Sequence, residues 1–243
     1  MSADQNDQLV LICGPSASGK SASLRNIRNQ ERWLYMGTEA GKRLPFKNSF
    51  RSARVTDPMQ VLGAFDYAIE HIDEVDGIIV DSLTFLMDQY ESQYVLTSSN
   101  TMKAWSDFQQ FFKELMQDKV VKFGKPVIFT AHTLKVLNEN TGEFEVSVPI
   151  KGALKNNGVE AYFSTVVATK KLPLKDLKGF ENDMLHITEE DEAVNFKYVF
   201  QTKITKTTTG ERIRSPMGLF STKETYIDND AQILLDHLND FYK

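Results

Sequence analysis

The segment Gly14-Pro15-Ser16-Ala17-Ser18-Gly19-Lys20-Ser21 fits the pattern G-x-x-x-x-G-K-[ST] at every position. Binding a polyphosphate asks for these residue types. Glycines let the backbone wrap closely around phosphate so that successive N–H groups point inward. Lys20 brings a cation to the β and γ phosphates, and the Ser21 hydroxyl is a ligand for Mg²⁺. A helix running on from Lys20 would add the positive end of its dipole. The motif therefore nominates Gly14, Pro15, Ser16, Ala17, Ser18, Gly19, Lys20, Ser21 and Ala22 as nucleotide contacts, with Lys20 also catalytic.

Three further residues could complete a hydrolytic site. Gly77-Ile78-Ile79-Val80-Asp81-Ser82 is an apolar strand ending in an acid, so Asp81 is the candidate to hold Mg²⁺ together with Ser21. Such strands are common in buried sheets, and this one gains meaning from the phosphate loop that needs it. Glu39 follows the apolar run Trp33 to Met36, where a carboxylate could orient an attacking water; a surface glutamate in a loop would look the same. His132 ends the run Val127 to Ala131, in position to sense the terminal phosphate, although a lone histidine is more often structural. No Cys/His spacing of a metal site is present. No N-K-x-D-type guanine-reading motif follows an apolar strand, which favours ATP over GTP.

Strands are expected at Leu9–Cys13, Trp33–Met36, Gly77–Val80 and Pro126–Ala131, separated by helix-like segments. Asp57-Pro58 starts a helix carrying Val61, Phe65, Ala68, Ile69 and Ile72. Asn100 or Thr101 starts another, striped by Trp105, Phe108, Phe112, Leu115 and Met116 as a core-facing surface. This alternation predicts an α/β fold with a mostly parallel sheet covered by helices. After His132 the pattern changes. Lys135–Leu137 and Phe144–Val148 read as a hairpin with a polar tip, and Phe196, Tyr198 and Phe200 alternate as a half-buried strand would. The last third is thus expected to be a C-terminal antiparallel β extension of the sheet. From Glu181 to Glu192 six acids occur without Lys or Arg, the mark of a solvated excursion. The chain reads as one domain over 1–243: a flexible 1–8, a hairpin loop at about 133–149, and a β-rich part from about 164.

The net charge of −5 argues against a uniformly basic coat but leaves local patches open. The single cysteine, Cys13, cannot form an internal disulfide. The N-terminal residues are polar, and no apolar stretch approaches bilayer-spanning length, so a soluble intracellular protein without a membrane partner is expected.

The order of phosphate loop, Glu39 after the second strand, Asp81-Ser82 and His132 resembles the RecA-core ATPases. More closely, the chain resembles the compact phage-encoded RecA-like ATPases, described as phage AAA-family ATPases or single-strand annealing recombinases. Val148-Pro149-Ile150-Lys151-Gly152-Ala153-Leu154 and the basic segment Gly210 to Phe220 carry that closer similarity. The resemblance implies a RecA-like P-loop NTPase core, Mg·ATP hydrolysis, and a homo-oligomer with nucleotide at subunit interfaces. It also implies work on DNA, with single strands preferred, in recombination or replication within a host cytoplasm.

Basic residues reaching a neighbour's nucleotide would then come from Lys203, Lys206, Arg212 and Arg214, where Lys197 to Lys223 holds six bases against one acid. DNA contacts would come from Lys135, Phe144 and Lys151 in the loop after the fourth strand, although Glu139, Glu143 and Glu145 make that loop acidic. The acid-free run Lys42, Arg43, Lys47, Arg51 and Arg54 is an alternative DNA-facing surface. A helicase-like motor, a small-molecule kinase using the same loop, and a nucleotide-dependent switch with little turnover are the other functions compatible with the phosphate loop.

Overall fold

A computed structural model describes residues 5–39, 41–139, 142–156 and 158–243, without the side chains of residues 153 and 156. In chain order the strands are β1 (Leu9–Gly14), β2 (Trp33–Gly37), β3 (Arg51–Arg54), β4 (Gly77–Asp81), β5 (Val127–His132), β6 (Leu134–Asn138), β7 (Glu143–Ser147), β8 (Thr165–Pro173), β9 (Phe196–Gln201) and β10 (Tyr226–Asp228). The α-helices are α1 (Met59–Glu70), α2 (Leu83–Tyr90), α3 (Thr101–Lys113), α4 (Val120–Phe123), α5 (Glu189–Val194) and α6 (Ala231–Phe241).

Eight strands form one sheet in the order β10-β9-β8-β1-β5-β4-β2-β3. All pairings from β8 through β1, β5, β4 and β2 to β3 are parallel, whereas β8–β9 and β9–β10 are antiparallel. The expected parallel core and antiparallel extension are therefore both present. The strand bearing Asp81 is separated from the strand leading into the phosphate loop by β5 alone, so the two strand ends sit close across one intervening end.

The central strands read as unbroken apolar runs because both of their faces are covered. Along β1, Leu9, Leu11 and Cys13 enter one core with Phe65, Phe112 and Leu115, while Val10 and Ile12 enter another with Leu24, Phe200, Leu234 and Leu238. Strand β4 splits the same way, Ile78 and Val80 against Ile79. The first core is roofed by α1 through α4. Asp57 accepts from Met59 N at 2.9 Å ahead of α1, and Asn100 caps α3 by accepting from Lys103 N at 3.0 Å. A π-helical segment, Glu114–Lys119, continues α3 into α4, and Gly124 in the left-handed conformation (φ 60°) ends it. The second core is closed by α6, a helix the expected β-rich ending did not include.

Other departures have local causes. The α-helix expected after Lys20 is a six-residue 3₁₀-helix, Ser21–Asn26. Ile27 leaves helical geometry (ψ 127°), Asn29 turns the chain with φ 51°, and a second 3₁₀ turn, Gln30–Arg32, leads into β2 at Trp33. Arg51–Arg54, read as part of a basic run, is instead the exposed edge strand β3, paired in parallel with β2. Within β9 the alternation is not the expected one. Phe200 is buried, but Tyr198 is exposed, and Lys197 is buried because Asp191 and Asp228 hold its ammonium at 2.9 and 3.2 Å. The acidic excursion contains α5, started by a capping box between Thr188 and Asp191. The expected flexible segment 1–8 is anchored from Asn6, whose amide donates to the carbonyls of Val120 and Lys125; residues 1–4 lie outside the described residues. The hairpin is present as the separate ribbon β6–β7, with residues 140 and 141 of its tip outside the described residues. No helix among the described residues is long and apolar enough to cross a membrane.

Candidate nucleotide site

The parallel core brings the C-terminal ends of β1, β2, β4 and β5 to one edge of the sheet, and every sequence-nominated catalytic residue lies there. Gly14 pairs in register with His132, and Gly37 with Asp81. Ser21 Oγ donates to Asp81 Oδ2 at 2.8 Å, the juxtaposition of hydroxyl and carboxylate that the two motifs implied. Asp81 is buried and also accepts from Tyr35 Oη at 2.9 Å and Thr130 Oγ1 at 2.5 Å.

The segment before Glu39 is fixed to the same strand end. Thr38 N donates to the Asp81 carbonyl at 2.8 Å; its hydroxyl donates to the Ser82 carbonyl and accepts from Ser82 N. This stitching aims Glu39 across the sheet edge to His132, whose Nε2 lies 3.2 Å from Glu39 Oε1. His132 is held in turn by its backbone N–H donating to Thr84 Oγ1 and by edge contact with Phe85. Lys42 donates to the other Glu39 oxygen at 2.6 Å. Burial pushes the Glu39 carboxyl up, but hydrogen bonds from Lys42 and His132 outweigh it and hold the group below the ordinary glutamate range.

Lys20 curls back into its own loop, donating to the carbonyls of Gly14 and Pro15 at 3.0 and 2.7 Å. Burial lowers its pKa against the opposing pull of Asp81 and Glu39. The loop is pinned from two sides that no motif announced. Ser18 Oγ meets Thr169 Oγ1 at 2.5 Å beneath it, and Asn229 Nδ2 donates to the Gly19 carbonyl at 2.9 Å. Gly19 has φ 98°, and a Cβ there would come within 2.6 Å of Asn229, so glycine is required both by conformation and by space. Cys13, beneath the loop, is buried and its thiol is pushed up to about 12, mainly by that burial; this describes an inert core thiol.

Around the loop opens a cleft of about 690 Å³. Ser16 to Ala22 form its floor, Glu39, Lys42, Arg43 and His132 one wall, and Tyr198 with Asp228 to Asp230 the other. The adjacent hydroxyl and carboxylate of Ser21 and Asp81 suit a hard divalent cation, which prefers oxygen donors, and the cradle with Lys20 suits polyphosphate. Tyr35, Thr130, Thr38, Thr169 and Asn229 were not foreseen from sequence. Thr130 had left a trace as the one hydroxyl residue within the apolar run of β5; Asn229, 210 residues from Gly19, had left none.

The other nominated residues scatter. Arg43 and Lys42 belong to the cleft rather than to a separate surface. Lys47, Arg51 and Arg54 are exposed, with Arg51 Nε on the Glu31 carbonyl. Lys135 lies 4.3 Å from the centroid of Phe144 on the ribbon, and Lys151 is paired with Glu91 at 2.7 Å. Arg212 is held by the buried Glu160 at 3.3 Å and Lys203 by the Phe220 carbonyl, whereas Lys206 and Arg214 are exposed.

A mostly parallel sheet with a phosphate-binding loop after β1 and an acidic strand end one strand removed defines a P-loop NTPase core. Within that class, a protein-family model described as an AAA domain matches residues 6–194, most of the chain, and the chain belongs to that family. It is thus a nucleotide-binding domain of the ATPase type. Comparison with the curated proteins gives no match.

Proposed function

We propose that the chain is a Mg²⁺-dependent ATP hydrolase whose turnover is coupled to DNA, single strands in preference. The observation that carries the hydrolase is the convergence, at one sheet edge, of Lys20, the Ser21–Asp81 pair and the Glu39–His132 pair. The loop amides and Lys20 bind the phosphates; to do so Lys20 exchanges the Gly14 and Pro15 carbonyls for phosphate oxygens. Ser21 and Asp81 hold the metal, which when bound supplies positive charge against the phosphate oxygens. Glu39, ionised at neutral pH, orients a water and accepts its proton, and His132 fixes the direction of that carboxylate. Because the helix after the loop is one short 3₁₀ segment, amides and Lys20 carry more of the phosphate binding than a helix dipole does.

The DNA reading is supported by the exposed Lys135–Phe144 pair on the ribbon and the exposed basic edge β3. A role in recombination or replication, and a homo-oligomer in which Arg214 and Lys206 reach a neighbouring subunit's nucleotide, rest on the resemblance to compact RecA-like ATPases. The test is steady-state phosphate release with and without a single-stranded oligonucleotide. Single strands should change the rate, and Glu39→Gln should bind ATP while losing roughly 10²–10⁴-fold in kcat, the range for a positioned general base. Full activity in Glu39→Gln would sink the assignment of the base, and a rate indifferent to DNA would sink the coupling.

A further inference from the structure

Tyr198 of β9 meets the Phe196 ring edge-on at 5.7 Å and lies 5.9 Å from Lys171 Nζ, yet these contacts do not cover it. Val199 and Phe200, which follow it, are fully buried, whereas Tyr198 is 38 % exposed and lines the cleft. The ring abuts the phosphate loop: a Cβ on Gly19 would lie 3.4 Å from Tyr198 Cδ1. Beside it Asn229, 4 % exposed, spends its amide N–H on the Gly19 carbonyl, while its Oδ1 is buried without a partner among the described residues. The wall is rigid. Asp230 caps α6 with one oxygen and takes Asn26 Nδ2 with the other at 2.5 Å, and buried Lys197 ties Asp228 to Asp191.

The two ends of the cleft differ in chemistry. Glu39, Lys42 and His132 stand at one end, where groups acting on the terminal phosphate are needed. The rest of a bound nucleotide must leave the loop in the other direction, towards Tyr198 and Asn229. That wall lies beyond residue 194, where the match to the AAA-domain model stops.

We infer that Tyr198 forms the nucleoside subsite: its ring stacks on the base, while Asn229 holds the phosphate loop beside it through the Gly19 carbonyl. The inference deepens the ATP reading and rests on it. An aromatic face is worth keeping exposed for this purpose, because base stacking on a side chain contributes measurably to affinity whatever the base edge.

Calorimetric titration with ATP, ribose 5-triphosphate and inorganic tripolyphosphate separates the contributions. The unaltered protein should bind ATP at least about fivefold more tightly than ribose 5-triphosphate, the lower end of base–aromatic stacking. Tyr198→Ala should erase that gap and leave tripolyphosphate binding in place, and Tyr198→Phe should preserve the gap. Equal affinity of the unaltered protein for ATP and ribose 5-triphosphate overturns the subsite without recourse to any variant. A Tyr198→Ala protein that weakens tripolyphosphate as much as ATP overturns it too, since the ring would then only support the loop. If Lys20→Ala binds tripolyphosphate as well as the unaltered protein, the phosphate site fails and the subsite falls with it.

Discussion

Asp81 is the residue at which a structural and a functional role can be separated by two substitutions. Its carboxylate receives three hydroxyls, from Ser21, Tyr35 and Thr130. In Asp81→Ala all three lose their acceptor. Thr130 is fully buried and cannot turn to water, which costs about 1–3 kcal/mol. Ser21 and Tyr35 are half-buried, so each forfeits only the net worth of a hydrogen bond, about 0.5–1.5 kcal/mol. Together this is roughly 2–6 kcal/mol, and at ~2–4 °C per kcal/mol for a chain of this size the melting temperature falls by roughly 4–24 °C. In Asp81→Asn the amide oxygen still accepts from Ser21 and Tyr35, and the Thr130 hydroxyl can rotate to accept from the amide. Charge-assisted bonds become neutral ones, but a buried charge is also removed. The melting temperature should therefore stay within about 5 °C of the unaltered protein. Metal binding does not share this tolerance. An uncharged amide beside Ser21 should weaken Mg²⁺ binding by about 10–100-fold, the range for altered supporting ligands. Thermal melts paired with ATP titrations with and without Mg²⁺, at constant ionic strength, measure both. A stable Asp81→Asn protein whose Mg²⁺-dependent gain in ATP affinity is unchanged would refute the metal role, and an Asp81→Ala protein as stable as the unaltered one would refute the hydrogen-bond account.

Two further outcomes follow from the same geometry. Glu39 has its folded pKa depressed, so its contribution to stability is fully present above the unfolded carboxylate value of about 4.3 and is lost as pH falls through the folded value. Melting curves of the unaltered protein and Glu39→Gln should differ slightly at pH 7, on the order of 1 kcal/mol or less because Lys42 is largely exposed, and converge once the pH has fallen through the folded value; a gap that persists in acid contradicts the pairing. Gly77→Ala would drive a Cβ to 2.3 Å from the buried Trp33 ring, so a loss of about 1–3 kcal/mol is expected in denaturant unfolding, with ATP affinity retained if the protein folds. An unchanged midpoint would show that Trp33 can move aside at no cost.

The sequence determined the phosphate loop, the strands that lead to Asp81 and His132, and two of the helices over one face, α1 and α3, but not α2. Each is a local matter: motif spacing, an unbroken apolar run, a 3.6-residue stripe with a capping residue. The sequence also nominated Glu39, but only the register of β2 beside β4, and β5 beside β1, brings it to His132. The helix after the loop is a 3₁₀ segment that ends where Ile27 leaves helical geometry, a break that no glycine or proline in Ser21–Ile27 announces. Basic residues looked alike along the chain; packing sent Lys42 to Glu39, Arg212 to Glu160 and Lys151 to Glu91, and left Arg54 and Arg214 exposed. The far wall of the cleft is the clearest case. Period-two alternation in Phe196-Lys197-Tyr198 predicts an inward tyrosine, yet the acids from α5 and β10 bury the lysine, and the ring is left beside Gly19. Contacts separated by some two hundred residues have no local signature, so only the folded sheet, which sets β9 and the start of α6 against the phosphate loop, decides what the cleft offers beyond the phosphates.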